Sequence, residues 1–220
     1  MKKRLVIALA LLVLFSTYKP QKFFLNDLLN IEEIEIKIEN NFILKDENIK
    51  KELAFLYNVN LVFLKTFDVK EKLKKIDFIK SFEIKKIYPK KIIIKIYEKK
   101  PIAILEYKKK KFYISEQIEL INYRDIENYK DLPKVLGNKE RFKTLYKDLK
   151  KINFPLDLIT EYYFYESKRW NLKIRENIII KLPSENYIIS LKNFMKITKE
   201  NNFDKYKVFD YRISNQLILK

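Results

Sequence analysis

Cysteine and histidine are absent from the 220 residues, and glycine occurs once. Without thiols or imidazoles the chain has no disulfide, no thiolate nucleophile, no thiolate or imidazole metal site and no His-based triad. The lack of cysteine suits either side of a membrane. A single glycine cannot build a glycine-rich phosphate cradle, which argues against a nucleotide enzyme. Carboxylates remain as the only candidate catalysts. Glu32, Glu33 and Glu35 crowd together in IEEIEIKIE. On a strand Glu33 and Glu35 share the solvent face opposite the isoleucines, so a solvated face is expected rather than an acid/base pair. No enzymatic activity, cofactor, metal or small-molecule substrate is expected.

What is abundant is lysine, isoleucine, asparagine, phenylalanine and tyrosine. Hydrophobic residues make up 47%, enough for a real core. Lys plus Arg number 47 against 29 Asp plus Glu, a net charge of +18. Such an excess ordinarily points to nucleic acid or an anionic surface. Here the charges are spread along the whole chain, as they are when lysine is the common way of covering a surface. EYKKKKFYI (106–114) interleaves lysines and aromatics as single-strand binders do. It reads instead as a hairpin with its lysines in solvent, and no nucleic-acid partner is expected. The one glycine, Gly137 in DLPKVLGN, is expected where the backbone takes a conformation that other residues reach only at a cost.

MKKR precedes LVIALALLVLFSTY, which is uncharged from Leu5 to Tyr18. As a helix at about 1.5 Å per residue this run spans roughly 21 Å, short of the roughly 30 Å bilayer core. STYKPQK offers no small-residue cleavage site of the A-x-A kind. The expectation is an uncleaved transmembrane anchor over 5–22. The basic arm, residues 1–4, stays in the cytoplasm and the bulk of the chain is exported.

The rest divides at KKP (99–101). Before it, the order is strand, helix, helix, strand, strand. IEEIEIKIE alternates, with Ile34, Ile36 and Ile38 on one side. The pair NN at 40 and 41 suits a turn. A helix starts at Asp46 as N-cap, with Ile49, Leu53 and Leu56 at helical spacing. A shorter helix covers Asp68 to Ile76. Strands over 78–87 and 91–98 flank a turn at Pro89. After KKP come a hairpin (102–107 and 111–115), a helix over 141–152 and three strands, LITEYYFYE, RWNLKIR and NIIIKLP. An amphipathic helix over 186–200 follows, with Ile189, Phe194 and Ile197 among its buried residues. YKVFDYR and QLILK close the chain as two strands. The only tryptophan, Trp170, heads an alternating strand and reads as a core or sheet-face anchor. The exposed Lys168–Arg169 pair beside it is a candidate receiver of an acidic partner.

Read in order, these segments resemble the FtsQ/DivIB family of single-pass bacterial cell division proteins. IEEIEIKIENN is similar to the opening strand of that family's POTRA domain. IYPKKIIIKIYEKKPIAIL carries its turn-strand-"E-x-x-P-hydrophobic-A" pattern on Pro89, Glu98, Pro101 and Ala103. DLPKVLG, SKRWNLKI with NIIIKLP, and VFDYRISNQLIL match its later motifs. The resemblance covers roughly residues 5–219 and implies an α+β protein. It would have an N-terminal transmembrane helix, a POTRA domain over 29–99 (β-α-α-β-β), and a mostly antiparallel β domain with two helices over 100–220. It also implies a divisome scaffold at the septum of the inner membrane, held there by Leu5–Tyr18. The scaffold would link early and late division proteins and bind FtsB and FtsL. The partner strand would add to the exposed last strand. The implied contact residues are Arg212, Ile213, Ser214, Asn215, Gln216, Leu217 and Ile218, with Lys168 and Arg169 on a neighbouring strand. Two departures stand out: the cytoplasmic arm is only MKKR, and Ile213 stands where some relatives carry an aromatic residue. Two other readings remain at this stage. One is a POTRA-bearing chaperone-like module for outer-membrane proteins; the other is a secreted basic protein that binds anionic polymers.

Overall fold

A computed structural model describes residues 2–17, 28–39, 43–199, 205–213 and 216–220. The expected turn at 40–41 and the candidate residues Ser214 and Asn215 lie outside them. The chain forms two compact units, Met1–Glu98 and Lys99–Lys220.

In the first unit, helix α1 covers Lys2–Thr17. Among the described residues no helix is long and apolar enough to cross a membrane. The sheet that follows has β1 (Glu33–Glu39), β2 (Ile79–Ile87) and β3 (Lys91–Glu98) in the order β1-β3-β2. β3 lies in the centre, parallel to β1 and antiparallel to β2. Its sequence KIIIKIYE alternates accordingly: Ile92, Ile94, Ile96 and Glu98 are buried, and their neighbours are half-exposed. Helices α2 (Asp46–Glu52) and α3 (Thr66–Lys74) bury Ile49, Val69 and Leu73, and Leu53 and Leu56 follow α2 inward. Each such aliphatic side chain contributes about 1.5–3 kcal/mol. Asp46 does not cap α2. Lys45 occupies the cap position without a side-chain bond, and Asp46 sits in the first turn, where its charge favours the helix dipole. The predicted helix beyond Glu52 tightens into a 3₁₀ turn, Ala54–Leu56.

The carboxylates of β1 meet lysines of the neighbouring strand and its preceding turn. Glu32 bonds Lys90, and Lys91 bridges Glu33 and Glu35 at 2.7 and 2.6 Å. Lys91, then Lys37, hold the Glu35 carboxyl below the usual carboxylate range. These are ion pairs on a solvated face, where screening by water leaves them little weight in stability. Glu98 is different. It is buried, and its carboxylate accepts the backbone N–H of Leu44 at 2.6 Å and of Ile43 at 3.1 Å. It therefore latches the end of β3 to the segment leading into α2.

The second unit is built on one nine-stranded sheet in the order β12-β11-β10-β9-β8-β7-β4-β5-β6. Its strands are β4 (Pro101–Tyr107), β5 (Lys110–Ser115), β6 (Leu120–Asn122), β7 (Lys134–Leu136), β8 (Ile159–Phe164), β9 (Trp170–Ile174), β10 (Ile178–Lys181), β11 (Val208–Asp210) and β12 (Ile218–Leu219). β4 and β5 form the expected hairpin, turning at Lys108 and Lys109, both with positive φ. Three pairings are parallel: β4 with β7, β7 with β8, and β10 with β11. The other five pairings described are antiparallel, so the sheet is mixed but mostly antiparallel, as expected. Two of the parallel pairs are joined through the two helices, α4 (Lys139–Lys151) and α5 (Tyr187–Ile197). Parallel neighbours need such crossovers, because a tight turn cannot connect them. Phe142, Leu145, Leu149, Leu191 and Phe194 of these helices pack with Val135, Tyr162, Leu172, Ile180 and Phe209 of the sheet.

Gly137 sits between β7 and α4 with φ +148°. An added Cβ would stand 2.6 Å from the Cβ of Phe164, on the neighbouring strand. The next residue, Asn138, caps α4, its Oδ1 accepting from Glu140 N–H at 2.8 Å and Arg141 N–H at 3.3 Å. The chain thus turns from strand to helix with its backbone pressed against β8, which leaves no room for a side chain. Among the described residues, nine other than glycine also have positive φ, including four asparagines and three lysines. Their φ values, 49–65°, are those of the ordinary left-handed region, reachable by L-residues at modest cost.

Candidate functional site

The candidate residues gather where the sheet ends at β12. β12 is antiparallel to β11, with Phe209 opposite Leu219 and Asp210 opposite Ile218. Lys220 N–H donates to Val208 O at 3.1 Å, and Val208 N–H donates back to Lys220 O at 2.9 Å. In an antiparallel ladder hydrogen-bonded pairs alternate with non-bonded ones. Ile218 and Lys220 thus face β11, and the N–H and C=O of Leu219 point away from it. Among the described residues no strand lies beyond β12 in the sheet.

One register row crosses the sheet through Asn171, Lys181, Asp210 and Ile218. The next row is held by Leu182 N–H donating to Trp170 O and Tyr211 N–H donating to Lys181 O, both at 2.9 Å. One residue further out stand Arg169 and Arg212, at the same end of the sheet. Lys168 and Arg169 are therefore not beside the edge strand: β10 and β11 lie between β9 and β12. Folding still brings Arg169 to the end where Arg212 stands. Arg169 lies over the Tyr165 ring, 5.4 Å from its centroid, and its buried Nε makes no hydrogen bond. Lys168 occupies the β8–β9 turn with φ 58° and is exposed.

Arg212 already has a protein partner. Its Nε donates to both oxygens of Asp210, at 2.8 and 3.0 Å, and its Nη2 to Oδ2 at 2.5 Å. Asp210 is 5% exposed and also lies 4.0 Å from Lys181 Nζ. Arg212, above all through its side-chain bonds, holds the Asp210 carboxyl below its usual range. The pair fixes the guanidinium at the rim and leaves further N–H donors beyond those facing Asp210. Sequence reasoning named Arg212 and missed its holder. The signal was there, since D-Y-R on a strand puts the first and third side chains on one face. Tyr211, between them, points inward and donates from its hydroxyl to Asn193 Oδ1 at 3.0 Å. Its burial pushes the phenol up to about 12.

An open cleft of about 520 Å³ runs beside this edge, between the start of α5 and residues 211–213 and 216–217. Arg212, Ile213, Gln216 and Leu217 line one side, and Ile189 and Asn193 the other. Ile189 corrects the sequence reading: it is 70% exposed. At about 100° per residue it stands roughly 160° away from Leu191 around the helix, on the opposite face. Ile213 and Ile218 are also exposed, and Leu217 is half-buried. The edge therefore offers outward backbone groups, a cleft of mixed lining in which Ile189, Ile213 and Leu217 stand among polar residues and Glu185, and a cationic end. Trp170 is core, packed on Phe164 with centroids 4.8 Å apart.

Comparison with known proteins agrees in both units. The family model described as "POTRA domain, FtsQ-type" matches residues 29–99. That described as "Cell division protein FtsQ/DivIB, C-terminal" matches residues 103–212. The chain is similar to the cell division protein FtsQ of Rickettsia typhi, 27% identical over 198 residues that cover 86% of this chain and 74% of that one. It is also similar to FtsQ of Rickettsia felis, 25% identical over 231 residues that cover 100% and 86%. Among solved structures, the extracytoplasmic domain of the cell division protein DivIB from Geobacillus stearothermophilus aligns with 49% of this chain and 97% of its own. That match has a TM-score of 0.34 and 13% identity.

Proposed function

Because the chain belongs to the FtsQ/DivIB family of cell division proteins, we propose that it is a divisome scaffold that binds FtsB, together with FtsL, by strand addition at β12. The observation that carries this reading is the open edge itself, with Leu219's backbone groups directed outward beside Arg212. An added strand would gain main-chain hydrogen bonds there. Ile189, Ile213 and Leu217 in the cleft would take its alternate side chains, and Arg212, Arg169 and Lys168 would favour an acidic partner and speed its encounter. Ser214 and Asn215 belong to the same proposed contact. Such a role needs no catalytic group and no cofactor.

The remaining assignments belong to the same proposal. Residues 1–4 form a cytoplasmic arm and residues 5–22 an inner-membrane anchor. Residues 29–99 are the POTRA domain and 100–220 the partner-binding β domain, both periplasmic and concentrated at the division septum. Relatives named for cell division favour this over a chaperone of outer-membrane proteins.

The test is a pull-down of the detergent-solubilised full chain with the periplasmic segments of FtsB and FtsL from the same genome. Leu219→Pro removes the outward N–H while leaving the bonds of Lys220 to β11 in place. Arg212→Glu reverses the rim charge. Binding by the parent that falls at least tenfold in both variants is the expected result. Undiminished binding by a folded Leu219→Pro protein would rule out the edge strand as the site.

A further inference from the structure

The segment LAFLYNVNLVFLKTF, residues 53–67, holds one charged residue, Lys65, in a chain that is 35% charged. Its apolar side chains split into two sets. Leu53, Leu56, Leu61 and Leu64 are buried in the core of the first unit. Phe55, Tyr57, Val62, Phe63 and Phe67 are exposed, Phe63 by 74% and Phe67 by 65%. Other exposed apolar residues outside α1, such as Ile189 and Ile213, stand among charged or polar neighbours, and the outer face of β1 is covered with lysine and glutamate. An uncharged aromatic surface in this setting marks a contact.

The same segment hydrogen-bonds the first residues described after α1. Leu61 N–H donates to Leu29 O at 2.8 Å, Ile31 N–H to Val59 O at 2.9 Å, and Asn30 pairs with Asn60. The register puts Leu28, itself exposed, opposite Val62. Ten residues, 18–27, separate Thr17 at the end of α1 from Leu28. Even fully extended they reach roughly 35–40 Å. With α1 in the bilayer, this surface is held within that distance of the lipid, where tethering makes a weak intrinsic affinity sufficient.

We propose that the surface made by Leu28, Phe55, Tyr57, Val62, Phe63 and Phe67 docks on the outer leaflet of the bilayer that holds α1. The inference rests on reading α1 as a membrane anchor. The chemistry fits a lipid interface: aromatic rings and aliphatics settle at the headgroup boundary, and Lys65, the one charge among them, faces lipid phosphates. No carboxylate in the segment would be forced against that anionic surface. Docking would set the height at which the first unit stands over the membrane.

The absence of cysteine makes the test direct. Val62→Cys, labelled with bimane, is placed in the full chain and reconstituted in vesicles of phosphatidylethanolamine and phosphatidylglycerol containing doxyl-labelled lipid. Lys80→Cys is the control. Lys80 lies on β2 six residues from Lys86, whose Nζ donates to Leu64 O at 3.0 Å, so it is about 20 Å further along the strand. Flotation is measured on the same samples. We expect both labelled proteins to float, with several-fold stronger lipid quenching at residue 62 than at residue 80. Phe63→Ser with Phe67→Ser should lower the quenching at 62 to the control level without loss of flotation. Flotation with equal, weak quenching at both sites would overturn the docking and leave the anchor standing. That result would turn the surface over to a protein partner. Failure of the parent to float would remove the anchor, and the docking with it.

Discussion

Replacing Gly137 with alanine is a demanding test of how this fold is held. The new methyl meets two separate obstacles. At φ +148° an L-residue sits in a region used almost only by glycine, at a cost of about 1–3 kcal/mol. The methyl also falls 2.6 Å from Phe164 Cβ, closer than real Cβ atoms approach, so β7 and β8 must separate locally. Such overpacking costs about 1–3 kcal/mol more. The central expectation is a loss of about 4 kcal/mol. For a unit of this size, that is a fall of roughly 15 °C in Tm, followed by circular dichroism or calorimetry. Because Phe164 meets the methyl through its own Cβ, trimming Phe164 to alanine in the same protein should not restore stability. Lys109→Gly is the matched control. Its φ of 64° is already reached by lysine, and the change should stay within about 1 kcal/mol. A Gly137→Ala protein melting within about 2 °C of the parent would refute both the strain and the close approach.

Two further outcomes follow from side chains that hold the chain together. Glu98→Ala removes the acceptor for the N–H groups of Ile43 and Leu44 in a buried setting. It should cost about 2–4 kcal/mol in the first unit, and amide exchange at those two residues should rise more than at the edge of the sheet. Asp210→Asn tests the pair with Arg212. The Asp210 pKa is depressed in the folded state, so its contribution is complete above the unfolded carboxylate value, about 3.9. It is lost as pH falls through the lower folded value. The variant should be less stable than the parent by about 1–3 kcal/mol at pH 7, with the gap narrowing as pH falls below 4; a gap that stays constant across the acid range would assign it to packing instead.

Local chemistry alone determined much of this protein. Alternation in KIIIKIYE located a strand with one buried face, because side chains on a strand point to opposite sides by turns. Helical spacing located α2 to α5. The absence of cysteine and histidine removed whole classes of chemistry, and the lone glycine marked the one backbone turn that a Cβ would obstruct. Five motifs in order sufficed for the family. What depended on long-range pairing was settled only in three dimensions. Parallel β7–β8 and β10–β11 pairs look the same in sequence as antiparallel ones, because alternation reports a strand's faces and not its neighbours. Amphipathic periodicity placed Ile189 inside, while the packing of Leu191 and Phe194 turned it toward the cleft. Lys168 and Arg169 read as neighbours of the last strand, and the sheet order put two strands between. The burial of Asp210, which sets where Arg212 points, and the convergence of Arg169 and Arg212 at one sheet end both arise from contacts between segments distant along the chain. Residue spacing is blind to these contacts, because they form only when the sheet closes its register.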